Sequence, residues 1–236
     1  MLKLDMSCAT DVGAIRRVNQ DTVAVFPQLN LAILADGMGG HNAGEVASRR
    51  GIEVVRDALR EGLDLQRAVQ LANSEVYDLS TRVESYTGMG TTLVAAYYDG
   101  LRVQIANVGD SRLYRFRKNK LEQLTRDQTV AQDMRDQNME HKNGKHVSGY
   151  EHVLTNALGI RGKCKVTITH DVVQPGDIHF LCSDGIPSVL SDEMISVALL
   201  RYFNTRQDPL QMLFDAALRR SVPDNISAVV IRANLK

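Results

Sequence analysis

The 236-residue chain balances 28 Lys+Arg against 28 Asp+Glu, with 44% apolar and 24% charged residues, a composition that supports a buried core and excludes a disordered chain. No long basic run gives a nucleic-acid or membrane surface electrostatic support, and no apolar stretch approaches the length of a membrane span. The opening MLKLDMSCATDV lacks a signal-peptide core, and Cys8, Cys164 and Cys182 are scattered and odd in number, so a reduced, cytoplasmic protein is expected.

In chain order, strand-like runs over 22–26 and 31–35 are parted by a short turn at 27–30. A helix is predicted from about 45 to 60. A second follows, in which Leu65, Ala68, Val69, Ala72, Val76, Leu79 and Val83 recur at three- and four-residue intervals, the apolar face of an amphipathic helix. The runs 91–98 and 101–107 flank Asp99-Gly100, which predicts a hairpin with a type I′ turn; a third strand follows over 111–116. From Arg126 to about Glu151 the chain turns polar and irregular, predicting a short helix and then an exposed loop. Strands return over 165–170 and 178–182. Ser191 with Asp192 and Glu193, and then Asp208-Pro209, predict two capped helix starts. Leu210, Leu213, Phe214, Ala217 and Leu218 form the buried face of the last helix, and an apolar strand over 226–231 closes the chain. With no repeat, low-complexity tract or linker, this segregated order predicts an α+β fold with antiparallel sheet, in one domain over 1–236.

Four aspartates sit in turn-like settings: Asp36 (LAILADGMGG), Asp110 (IANVGDSR), Asp184 (HFLCSDGI) and Asp224 (SVPDNISAVV); Asp21 is a fifth, in RRVNQD. Three follow an apolar run of strand character and the fourth precedes one. Carboxylates so placed project from sheet ends into one shared space, as hard divalent cations require. The pattern points to a metal-dependent phosphate-cleaving site. Asp99-Gly100 reads as a turn only. The glycine-rich DGMGGHNAGE is no Walker loop, because Glu45-Val46 follows Gly44. Nor is it a dinucleotide fingerprint, because Asn42 replaces the third glycine. No cysteine has an arginine six positions on, which excludes cysteine-based phosphate chemistry. His141, His146 and His152 crowd one polar segment at spacings that match no zinc site and read as a solvated loop. Arg16, five residues before Asp21, suits a bidentate phosphate clamp.

Eight segments in order (GAIRRVNQD, LADGMGGHNAGEVAS, MGTTLVAAY, IANVGDSRLYRF, LTRDQT, LTNALG, PGDIHFLCSDGI and DNISAVVI) cover nearly the whole chain. Together they resemble the type 2C metal-dependent serine/threonine protein phosphatases, the PPM family, in their compact bacterial form. The resemblance implies a four-layer α/β/β/α sandwich, two antiparallel sheets face to face between helix pairs, with a metal cluster at one end. It implies hydrolysis of phosphothreonine and phosphoserine by a hydroxide bridging two Mn²⁺ or Mg²⁺ ions, without a covalent phosphoenzyme. Asp36 would bridge the ions with the Gly37 carbonyl as a further ligand, Asp184 and Asp224 would complete one ion, and Asp21 would act through water. Arg16 would hold the phosphate, and Asp110 with Asp184 a third, weaker ion.

Some positions depart from the family pattern. Gln20 stands where many members carry glutamate, implying weaker metal binding. Met38 stands where eukaryotic members place a histidine, which leaves the general acid open, with His41 one option. The segment 127–150 corresponds to the family's variable flap. The implied setting is signalling: phosphorylated Ser/Thr proteins as partners, a cognate kinase opposed, a cytoplasmic monomer with no nucleic acid or membrane. Two alternatives stand beside it. A phosphoprotein-binding pseudophosphatase is disfavoured because all five aspartates are present. A metal-dependent hydrolase of small phosphate esters would need a narrow pocket or a basic track; the sequence shows no such track and does not specify pocket shape.

Overall fold

Strands apolar on both faces must be covered on both sides, and several strands of this chain are of that kind. The computed structural model describes residues 2–39, 43–138 and 149–235. One sheet runs β1 (Leu2–Asp11), β11 (Ile226–Leu235), β10 (Ile178–Cys182), β7 (Arg112–Arg117), β8 (Lys120–Gln123). The other runs β2 (Asp21–Phe26), β3 (Leu31–Met38), β5 (Leu93–Asp99), β6 (Arg102–Val108), β9 (Thr167–Val172), with the short β4 (Gly90–Thr91) beside β3. The pairings are antiparallel.

The period of two along each strand builds the layers. In β3, Leu31, Ile33 and Ala35 pack with Ile52 and Val55 of α1 (Ala43–Arg60) and Leu65, Ala68 and Val69 of α2 (Leu65–Arg82). Ala32 and Leu34 point the other way, into a core shared with Leu181, Val229 and Ile231 of the opposite sheet. In β10, Ile178, Phe180 and Cys182 meet Ile186 of α4 (Gly185–Val189), Leu199 of α5 (Asp192–Thr205) and Leu213 of α6 (Pro209–Leu218). Helices, sheet, sheet, helices: the expected four-layer sandwich is present.

Several details differ from the sequence reading. β1 was not expected; it pairs with β11 from Leu2↔Leu235 to Asp11↔Ile226, which also carries β11 past residue 231. The pair Asp99↔Arg102 leaves Gly100-Leu101 as the turn, and of these only Gly100 has positive φ, at 60°. That is a type II′ turn, not I′. The I′ signature falls instead at Lys118-Asn119, with φ of 50° and 63°, between β7 and β8. Ser191 is an N-cap whose side chain makes no capping bond, whereas Asp208 accepts from the Leu210 N–H at 2.9 Å. The polar segment begins with α3 (Val130–Asp136), as predicted; its middle, 139–148, lies outside the described residues.

Antiparallel pairing brings the ends of β3, β6 and β10 to the same edge as the starts of β2, β7 and β11. Asp21 faces Asp36, and Cys182 faces both Arg112 and Ala228. The site is built on that edge.

Candidate metal centre

Asp21 opens β2 opposite Asp36, so two carboxylates share one rung of the ladder. Asp110 lies between β6 and β7, Asp184 between β10 and α4, and Asp224 just ahead of β11. The two sheets are tied here by Ser183, whose Oγ donates to Asp21 Oδ2 at 2.8 Å. Thr92 Oγ1 accepts from the Asp36 N–H at 3.0 Å and Thr91 Oγ1 donates to the Asp36 carbonyl at 2.9 Å, locking that main chain.

Two residues that sequence reasoning did not assign to positioning hold the segments together. Asn225 is buried; its Oδ1 accepts from the Gln20 N–H at 2.9 Å, and its Nδ2 donates to the carbonyls of Val12 at 2.8 Å and Val18 at 3.1 Å. Gln20 accepts on its carbonyl from Ser48 Oγ at 2.6 Å and from the Gly37 N–H at 3.2 Å, while its Nε2 donates to the Gly39 carbonyl at 3.4 Å. The Asp224–Asn225 turn is pinched between two glycines. A Cβ on Gly13, whose φ is +79°, would fall 2.0 Å from the Asp224 carbonyl oxygen, and one on Gly185 would fall 2.0 Å from that of Asn225. Only glycine admits backbones so close.

Burial first, and repulsion from neighbouring carboxylates with it, raises Asp21, Asp36 and Asp110. Asp21 is pushed up to about 6 and Asp110 to about 7, with desolvation the leading cause in both. Asp36 rises well above the ordinary carboxylate range, by desolvation and then by the charges of Asp21, Asp184, Asp110 and Asp224. The other four expected aspartates therefore all lie close enough to act on Asp36. Arg16 Nη2 donates to Asp224 Oδ2 at 2.8 Å, and its guanidinium also feels Asp36 and Asp184. Its side chain is 56% exposed, so the cation sits at the mouth. Arg112, the arginine of GDSR, is paired with Asp127 at 2.7 Å beside Asp110 and Asp184. Gly37 lies directly after Asp36 within β3, its N–H spent on Gln20.

The structure also brings in His152, which the sequence reading left in a solvated loop. Its Nδ1–H donates to Asp184 Oδ2 at 3.1 Å, and the ligand atoms of Asp110, His152 and Asp184 lie within 4.8 Å of one another. These residues come from three separate segments, so no local spacing announces them. His41, His141 and His146 lie outside the described residues.

The residues fit a divalent cation. Asp21 Oδ1 is buried with no hydrogen-bond partner among the described residues. A carboxylate oxygen so placed is costly unless something positive takes it. Carboxylates, backbone carbonyls and one imidazole are a donor set for Mg²⁺ or Mn²⁺.

Known proteins share this chain's sequence pattern and fold. The family model described as protein phosphatase 2C matches residues 16–221. The serine/threonine phosphatase Stp of Listeria monocytogenes is 32% identical over 239 residues, covering 96% of this chain and 94% of its own. The serine/threonine protein phosphatase PstP of Mycobacterium tuberculosis is 34% identical over 235 residues, covering 97% of this chain and 45% of its own. The crystal structure of a PstP catalytic domain in complex with two manganese ions superposes with a TM-score of 0.86 at 32% identity, covering 100% of both chains. PppA, a regulatory component of a secretion system in Pseudomonas aeruginosa, gives a TM-score of 0.84 at 30% identity, covering 98% of this chain and 97% of its own. With the protein phosphatase 2C model matched over residues 16–221 and relatives 32% and 34% identical over nearly its whole length, this chain belongs to the protein phosphatase 2C family.

Proposed function

We propose that the chain is a metal-dependent phosphoprotein phosphatase that hydrolyses phosphothreonine and phosphoserine in proteins. The observation that carries this reading is the convergence of Asp21, Asp36, Asp110, Asp184 and Asp224 on one edge, with the exposed guanidinium of Arg16 at its mouth. Asp36, Asp184, Asp224 and the Gly37 carbonyl would hold two Mn²⁺ or Mg²⁺ ions, with Asp21 acting through water and Asp110 serving a third site. When bound, such ions neutralise a phosphomonoester dianion and activate water for direct attack.

The chain's own groups do the rest. Arg16 binds the phosphate from the solvent side and meets the charge that grows on its oxygens. Asp21 Oδ1, buried and unpartnered among the described residues, is an acceptor for a water proton. Thr91, Thr92 and Ser183 keep Asp36 and Asp21 from turning away. The chain would act as a monomer of one catalytic unit over 1–236. The three free cysteines suit a reducing, cytoplasmic compartment, where the chain would oppose a cognate Ser/Thr kinase.

Hydrolysis of a phosphothreonine peptide, with Mn²⁺ and with chelator, tests the reading. Metal-dependent turnover that is absent from Asp36→Asn is expected. No turnover at any metal concentration would instead indicate a phosphoprotein-binding module, and preference for a sugar phosphate or nucleotide a hydrolase of small esters.

A further inference from the structure

The chain entering β9 alternates. Cys164, Val166 and Ile168 pack against the core beneath α1 and α2, while Lys163 and Lys165 are exposed, as is Arg161. In extended chain, residues two apart share a side. All three cations line one cavity of about 1110 Å³, together with Met38, His152–Ala157 and Ile160. That cavity adjoins the metal centre, because Met38 lies two residues past Asp36 and His152 is bonded to Asp184.

These cations differ from the others nearby. Arg126, on the same cavity, is neutralised by Asp133 at 2.7 Å, and Arg112 by Asp127 at 2.7 Å. Among the described residues, Arg161, Lys163 and Lys165 form no salt bridge. A single exposed ion pair contributes little, but several charges acting on one ligand add.

We propose that Arg161, Lys163 and Lys165 form a subsite for acidic side chains of the phosphoprotein, so that phosphothreonine or phosphoserine flanked by Asp or Glu is the preferred substrate. This rests on the phosphatase reading above. The metal end repels anions until its cations are bound, whereas this wall attracts them throughout. It therefore selects for sequence around the phosphate without touching the phosphate itself.

The test compares phosphothreonine peptides flanked on either side by three Glu, three Ala or three Lys residues, with p-nitrophenyl phosphate as a probe of the metal centre alone. On one flank, Glu should raise kcat/KM over Ala by about tenfold at low salt, and high salt should abolish the gain. The double variant Lys163→Glu, Lys165→Glu should lose the preference yet hydrolyse p-nitrophenyl phosphate at the wild-type rate. Equal turnover of the three peptides, or a preference that persists in the double variant, would overturn the subsite and leave the phosphatase reading standing. Failure to hydrolyse any of these esters with Mn²⁺ present would overturn the phosphatase reading itself.

Discussion

Aspartates stand beyond both ends of β10, and the two ends of the sandwich treat them in opposite ways. Asp177 precedes the strand and Asp184 follows it, roughly 20 Å away at the usual strand rise. At the Asp177 end Asp177 and Asp171 are each held by an arginine. Arg117 grips Asp177 through Nε at 2.7 Å and Nη2 at 2.6 Å, and the Gln174 N–H adds a third bond at 2.7 Å. Arg115 Nη1 donates to both oxygens of Asp171 at 2.7 Å. His179 and Arg115 hold Asp171 well below the usual carboxylate range. At the Asp184 end five carboxylates share one close arginine, and burial lifts Asp21, Asp36 and Asp110 instead. Identical side chains thus serve the fold where they are paired and await a cation where they are not.

The linkage to pH has opposite signs at the two ends. Asp171, depressed on folding, contributes stability above the ordinary carboxylate pKa and loses it as pH falls through the folded value. Asp21, Asp36 and Asp110 are raised, so the ion-free fold binds more protons than the unfolded chain does. Their contribution is present below about pH 4 and is lost as pH climbs through about 6 and 7. A bound cation removes that penalty.

The contrast breaks most visibly at Asp36. Asp36→Asn should cut turnover of a phosphothreonine peptide by about a thousandfold, while its melting temperature in chelator at alkaline pH matches or exceeds wild type. A variant that melts lower yet keeps wild-type turnover would mean that the two ends have been confused. Asp177→Ala should do the reverse. Because Asp177 is 1% exposed and paired, its loss should cost about 3 kcal/mol in urea denaturation and leave turnover per folded molecule unchanged. Arg16→Ala should raise KM by about tenfold with a smaller change in kcat; an unchanged KM would remove Arg16 from the substrate site. The smallest effect is expected at His152. His152→Ala should weaken Mn²⁺ at the Asp110–Asp184 site severalfold and Mg²⁺ hardly at all, since imidazole favours the transition metal. Metal titration followed by electron paramagnetic resonance would show it.

Much of the acidic edge was legible because its signal is local. Asp36 and Asp184 close apolar runs and Asp224 opens one, so the end of a strand is written beside the residue that uses it. β1 was not legible for the same reason in reverse. LKLDMSCATD has no clean alternation and is largely half-buried; it is a strand because β11 offers ten residues to pair with. The Lys118-Asn119 turn was hidden because it lacks the glycine that marks such turns. His152 was hidden because it joins Asp110 and Asp184 only in three dimensions. The basic wall escaped notice because Arg161, Lys163 and Lys165 are too few to read as a basic run, and only their shared cavity unites them.

The most direct test of the central claim, that one edge keeps its carboxyls unsatisfied for cations, is calorimetric titration of the ion-free protein with Mn²⁺. It should be run at about pH 6.5 in two buffers of different ionisation enthalpy. With Asp21 near 6, Asp110 near 7 and Asp36 raised well above the ordinary carboxylate range, binding should release protons from these carboxyls, and fewer in Asp36→Asn. Mn²⁺ binding with no proton release would show that these carboxyls were already ionised without a cation, and would contradict the account.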